Sequence, residues 1–169
     1  VTDTNIYRKE NDLVKIKNIY CNAHARRKFR ESSKSFEVES DFFLWCYRRI
    51  YYLEKQIKNK EIDFDFARRW QRLYYSVMER MALNLKNSYS SKSSLIKAID
   101  YFNKNYNELI YFLKHKDIPI DNNSQERLMR SPVIGRKTWY GTHSKRGAKT
   151  TSILFSLVES CKLNKINPR

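Results

Sequence analysis

The stretch Asp121 to Arg127 reads DNNSQER and is followed by Arg130 and then by Gly135-Arg136-Lys137, so that one carboxylate, Glu126, stands among cations. Acid embedded in base is a pattern that can face a phosphate backbone. A second reading needs no chemistry: Asn123 as a helix N-cap with Glu126 three residues on is a capping-box variant. Spacing alone leaves both readings open.

Three other places carry reactive residue types. Asp3 follows two strand-forming residues, Val1 and Thr2, where an Asp is either a turn former or a metal ligand. Cys21-Asn22-Ala23-His24 has the Cys-x-x-His spacing of half a zinc site, but no second pair with suitable spacing follows it. Trp139 and Tyr140 lie beside Arg136 and Lys137, a combination that can stack on an unpaired base while cations hold its phosphates. Core packing accounts for Trp139 equally well. His115 and His143 read as a helix-terminal and a loop histidine.

The elements that must position these residues follow from periodicity. Val14 and Ile16 alternate with Lys15 and Lys17 ahead of Ile19-Tyr20-Cys21, which predicts a half-buried strand over Val14–Cys21. Val1-Thr2-Asp3 is expected to end another strand, and Ala23–Glu31 to begin a helix. Phe43, Cys46, Tyr47, Ile50, Leu53 and Ile57 recur at helical spacing, as do Phe66, Trp70, Leu73, Tyr74, Val77 and Met81 after the acidic start Asp63-Phe64-Asp65. A third stripe, Leu95, Ile99, Phe102, Tyr106, Leu109 and Leu113, follows the serine-rich link Ser88–Ser94. These stripes predict helices that pack together.

Beyond Pro119, a cap at Asp121–Ser124 and a short helix from Gln125 to Arg130 are expected. A loop-rich stretch holding Gly135, Gly141 and Gly147, the only glycines of the chain, comes next. Ile153, Leu154, Leu157, Val158 and Cys161 give the final helix an apolar face that ends at Asn164 and Pro168. The expected fold is mainly α with a few β-strands, the strands being the remnant of a mixed sheet. Its exposed edge would need cover from helices, a second copy or a separate N-terminal piece.

Composition narrows the partner. The chain has 169 residues with 34 Lys and Arg against 18 Asp and Glu, a net charge of +16. A surplus of this size points to a polyanion, and to nucleic acid above an anionic membrane, because the cations are interleaved with aromatics and no apolar run approaches the roughly 20 residues of a spanning helix. No signal peptide is visible, and three scattered cysteines, Cys21, Cys46 and Cys161, suit a reducing compartment, so a cytoplasmic setting is expected. The chain opens Val-Thr-Asp without an initiator Met and is expected to be the C-terminal part of a longer protein.

Five motifs occur in one order: CNAHARRKF from Cys21 to Phe29, DNNSQERLMR, GRKTWYG, HSKRG and LFSLVESCKLN. Together they resemble the transposases of insertion sequence 66, densely over Val1–Phe29 and Asp121–Pro168 and only in character between. The resemblance implies a ribonuclease H-like core of the DDE type, with core segments at 1–31 and 118–169 around a helical insertion at 32–117. It maps Asp3 onto the second Asp, although Thr4 and Asn5 replace the family's usual Gly-Tyr, and Glu126 onto the Glu of an Asn-Asn-x-x-Glu-Arg motif.

It implies further that Asp3 and Glu126 are ligands of Mg2+ (or Mn2+), in a two-ion site incomplete without the first Asp, and that His24 in the Cys-x-x-His signature supports the active site. Arg26, Arg27, Arg127, Arg130, Arg136, Lys137, Trp139, Lys145 and Arg146 become candidate contacts to duplex DNA. The partners implied are transposon ends, target DNA, and either a second copy or the N-terminal remainder of the transposase. A non-catalytic DNA-binding fragment and a basic scaffold for protein or RNA are the competing readings.

Overall fold

The computed structural model describes residues 19–138 and 141–168. Asp3, most of the expected strand at 14–21, and Trp139 lie outside them. The described residues are mostly helical and include no strand. Cys21, at the end of the expected strand, has extended backbone with φ −80° and ψ 121°. The chain divides into two compact units, 1–121 and 122–169.

The first unit is built on α1 (Asn22–Ser32), α2 (Glu37–Lys58), α3 (Phe64–Lys86) and α4 (Ser94–Lys104). Helices α3 and α4 begin where the sequence offers an acceptor for the orphan amides of the first turn. Asp63 accepts from the Phe66 N–H at 2.9 Å and Ser93 from the Ile96 N–H at 3.2 Å. The third stripe does not form one rod. At Asn105, with φ −111°, it breaks into α5 (Tyr106–Leu109) and a 3-10 turn, Tyr111–Lys114. There the Asn105 side chain donates to the Tyr101 carbonyl at 2.8 Å.

The core is aromatic. Phe29 stacks on Phe43 with ring centroids 4.2 Å apart, and Tyr75 lies parallel to Phe102 at 6.5 Å. Phe43, Cys46, Tyr47 and Ile50 of α2 and Leu95, Ile99, Phe102, Leu109 and Leu113 are buried as their periodicity predicts. Ala25 and Phe29 of α1 belong to the same cluster, so this helix shares one interior with the helices after it.

Helix α3 departs from expectation. Phe66, Trp70, Leu73 and Val77, expected as its core stripe, are 49, 44, 50 and 38% exposed. The face turned inward is Ala67, Gln71, Tyr75, Met78 and Ala82, with Arg68 beside it. Both faces have helical period, and the one with small residues fits against the crowded rings of α1, α2 and α4. Burying Arg68 and Gln71 requires partners. Arg68 pairs with Glu54, the Gln71 Oε1 accepts from Arg68 at 2.6 Å, and Gln71 Nε2 donates to the Ile50 carbonyl and to Glu54. The Arg68 guanidinium also lies 4.6 Å from the Phe64 ring centroid and 4.9 Å from that of Phe112.

The second unit holds α6 (Asn123–Leu128), α7 (Arg130–Thr138) and α8 (Lys145–Leu163). The stretch around Gly135, expected as loop, is helix: Pro132 falls in the first turn of α7, where its missing N–H breaks no helical bond, and Gly135 is buried within it. Helix α8 ends at Asn164 as predicted. Its face of Ile153, Leu154 and Leu157 is 55 to 59% exposed.

Candidate functional site

In the first unit, the Cys-x-x-His pair opens α1. Cys21 is its N-cap residue and is buried, and its carbonyl accepts from the His24 N–H at 3.1 Å. The residue between them that decides the geometry is Asn22, which the sequence motifs do not single out. It is 1% exposed. Its Nδ2 donates to the Leu109 carbonyl at 2.9 Å and the Ile120 carbonyl at 3.1 Å, while its Oδ1 accepts from the Tyr75 hydroxyl at 2.8 Å. Asn22 thereby ties the start of α1, which carries His24, to α3, α5 and the segment leading to Asp121. A buried Asn with both ends bonded leaves no periodicity signal, so spacing does not reveal it.

Of the expected DNA contacts on α1, Arg27 is exposed and Arg26 half-buried, its guanidinium 5.6 Å from the Tyr51 ring centroid. Burial, followed by the nearby Asp121 carboxylate, pushes the Tyr51 phenol far up, so it stays protonated. The adjacent Lys28 sits 4.8 Å over the Tyr101 ring. The charged ends of both cations lie over aromatic faces.

In the second unit, Glu126 is exposed on α6. The N-cap of this helix is Asn122, one residue before the Asn123 of the capping-box reading, and it makes no side-chain cap bond. Glu126 is thus the fourth helical residue, its N–H donating to the Asn122 carbonyl at 3.0 Å as any helical amide does. The box is not formed in the register that the sequence implied. Arg127, Arg130, Arg136 and Lys137 are all exposed, and so are Lys145 and Arg146.

Two local devices set these cations. Gly141, at φ +80°, donates its N–H to the Arg136 carbonyl at 2.9 Å, which satisfies a carbonyl of the last turn of α7. Ser144 caps α8 by accepting from the Gly147 N–H at 3.0 Å. A Cβ on residue 147 would come within 3.2 Å of the Ser144 Oγ. Lys145 and Arg146 therefore open α8 at the positive end of its dipole, where cations are disfavoured unless an anion is bound. This unit carries ten of the 34 cations but only two of the 18 acidic residues, Glu126 and Glu159. An open groove of about 590 Å3 runs between α6–α7 and α8, lined by Leu128, Met129, Pro132, Arg136, Phe155 and Leu163.

Asp3 and Trp139 lie outside the described residues, so the placement of neither is described. No helix among the described residues is long and apolar enough to cross a membrane.

Comparison with known proteins bears on what this basic, carboxylate-bearing arrangement serves. Residues 5–150 match the model of the Transposase IS66 family. Two relatives from Sinorhizobium fredii are both uncharacterized: protein y4hP is 28% identical over 165 residues, and protein y4jD 32% identical over 158. These alignments cover 89% and 88% of this chain but 30% of each relative. No solved structure matches. Because the family match runs unbroken from before α1 into the first turns of α8, across Cys21-x-x-His24, Glu126 and the clustered cations, the chain belongs to the IS66 family of transposases.

Proposed function

We propose that this chain is the C-terminal part of the catalytic domain of a DDE-type DNA transposase, and that it supplies two of the three carboxylates of a ribonuclease H-like active site. The observation that carries the reading is the family match over residues 5–150, which takes in both Glu126 and the basic segment around it. Asp3 and Glu126 are the two carboxylates, and the first Asp comes from outside this chain.

Carboxylates at these two positions would suit a hard divalent cation. Glu126 presents an exposed carboxylate, and oxygen is the ligand that Mg2+ or Mn2+ takes. When bound, a pair of such ions activates water or a 3′-hydroxyl and stabilises the leaving oxygen. The chain's own residues do the positioning. Arg127, Arg130, Arg136 and Lys137 neutralise DNA phosphates near Glu126, and Lys145 and Arg146 reinforce the anion-binding end of α8. His24, held at the head of α1 by Asn22, supports the site. Without the first Asp, the isolated chain binds duplex DNA and does not cut it.

The test compares the intact transposase with its Glu126→Gln variant. Strand cleavage in the presence of magnesium should fall to background while duplex affinity stays within about twofold, since the change removes a metal ligand and no phosphate contact. Cleavage at the parental rate would show that Glu126 is not the third carboxylate. Metal-dependent nicking by the isolated chain would show that the first Asp is dispensable.

A further inference from the structure

The outward stripe of α3 meets an exposed aromatic row on α2. Trp45 is 47% and Tyr52 52% exposed. Trp45 sits edge-on to Tyr74 at 5.7 Å, and Phe66 lies 6.3 Å from Trp70. Arg49 threads between the helices: its Nε donates to the Tyr74 hydroxyl at 3.3 Å and its guanidinium lies 5.9 Å from the Tyr52 ring. Together with Gln56, whose Nε2 donates to the Tyr52 hydroxyl at 3.2 Å, Arg49, Tyr52, Phe66, Trp70 and Tyr74 line a cleft of about 300 Å3.

This face is not left over from core formation, because the interior of α3 is complete without it. It is also no greasy patch. Arg49 lies within the cleft, and Arg48, Arg69 and Arg72 are exposed on the same two helices. Flat π-faces, one guanidinium, one carboxamide and flanking positive charge match an unpaired nucleotide: base on ring, base edge on Gln56, phosphate on arginine. Duplex DNA hides its base faces in the stack and cannot use such a cleft. We propose that the α2–α3 cleft binds unpaired bases of single-stranded DNA, with Trp70 and Tyr52 as the stacking rings. The inference rests on the DNA-processing reading above and adds to it a second, strand-selective surface.

The experiment follows the tryptophan fluorescence of the full chain, in which Trp45 and Trp70 emit together with Trp139. Titration with oligothymidylate should quench their fluorescence saturably. Adding Trp70→Ala should weaken oligothymidylate binding about tenfold or more and leave affinity for a duplex unchanged, while Trp70→Phe, which keeps a ring, retains most of the binding. Circular dichroism confirms that each variant is folded. Absence of quenching, or equal single-strand affinity in the alanine variant, overturns the proposal. So does a concentration-dependent change of mass in sedimentation that Trp70→Ala abolishes, because the face is then an interface between copies of the chain. Intact duplex binding in those cases leaves the transposase reading standing, whereas loss of both DNA forms removes both.

Discussion

The Tyr75 hydroxyl donates to the Asn22 side-chain carbonyl at 2.8 Å, joining the first turn of α1 to the middle of α3 inside the core. Both groups are fully or almost fully buried, and burial holds the phenol far above its ordinary range. Removing one partner strands the other. Tyr75→Phe should cost about 1–3 kcal/mol, the penalty for an unsatisfied buried acceptor. Asn22→Ala should cost more, since it also removes the side-chain donor from the Leu109 and Ile120 carbonyls, the second of which keeps only the backbone N–H of residue 22. Urea denaturation followed by circular dichroism reads both. If either variant unfolds at the parental midpoint, the link does not hold α1 in place.

The Arg68–Glu54–Gln71 network gives a second prediction. The Arg68 side chain is 3% exposed and that of Glu54 21%, so Glu54→Ala leaves a cation buried without its counter-ion. A loss of about 3–5 kcal/mol is expected for breaking such a pair. Removing the next cation along, exposed Arg69, should change stability by less than about 0.5 kcal/mol. Thermal melts of the two single variants should therefore differ widely. A double change of Arg68 to Met and Glu54 to Leu should recover most of the loss, because hydrophobic replacement of both partners removes the stranded charge.

How much of the fold is legible in the sequence depends on what each face of a helix contains. The α2 stripe is legible because Phe43, Cys46, Tyr47 and Ile50 form an unbroken apolar stripe, whereas the exposed row of Trp45 and Tyr52 is interrupted by Arg48 and Arg49. Helix α3 carries two stripes, and the heavier one, with Phe66 and Trp70, suggests the core although the smaller face of Ala67, Tyr75 and Ala82 is the one that fits. Periodicity reports the period of a stripe but not which stripe packs. Gly135 suggests a loop, yet Pro132 at a helix start and a buried glycine are both compatible with α7. Asp3 and the expected strand residues up to 18 lie outside the described residues. Glu126 stands out by its motif, but its one-residue offset from the capping register depends on backbone geometry that spacing does not encode.

Alkaline pH should weaken the fold. Burial raises the Cys46 thiol from 9.0 to about 11, and burial likewise raises Tyr47 and Tyr75. Each of these acids keeps its proton longer when folded than when unfolded. The folded state therefore binds more protons between the two pKa values, and stability, flat with respect to these groups below pH 9, falls as pH rises from about 9 toward 11 and beyond. Cys46→Val removes the thiol while keeping an apolar side chain. The melting temperature of the variant should decline less than the parent's between about pH 9 and 10. An equal decline in both would assign the whole alkaline loss to the tyrosines.

The pair Lys145 and Arg146 tests the proposed contact of the second unit with DNA. They stand at the positive end of α8, where helix dipole and side chains repel one another in the free protein and both attract phosphate once DNA is bound. Neutralising them as Lys145→Gln and Arg146→Gln should therefore have opposite effects in the two states. The free chain should be unchanged or slightly more stable, by a few tenths of a kcal/mol. Duplex binding should weaken, and the slope of log affinity against log salt should become shallower by about 1.8, at roughly 0.9 for each phosphate that is no longer neutralised. Fluorescence anisotropy with a labelled duplex across a salt series measures that slope. The same substitution at Lys28, whose ammonium rests on the Tyr101 ring, should alter the slope by less. A slope unchanged by the α8 pair would mean that these cations face solvent in the complex, and the proposed DNA path through this unit would then have to be drawn through Arg127, Arg130, Arg136 and Lys137.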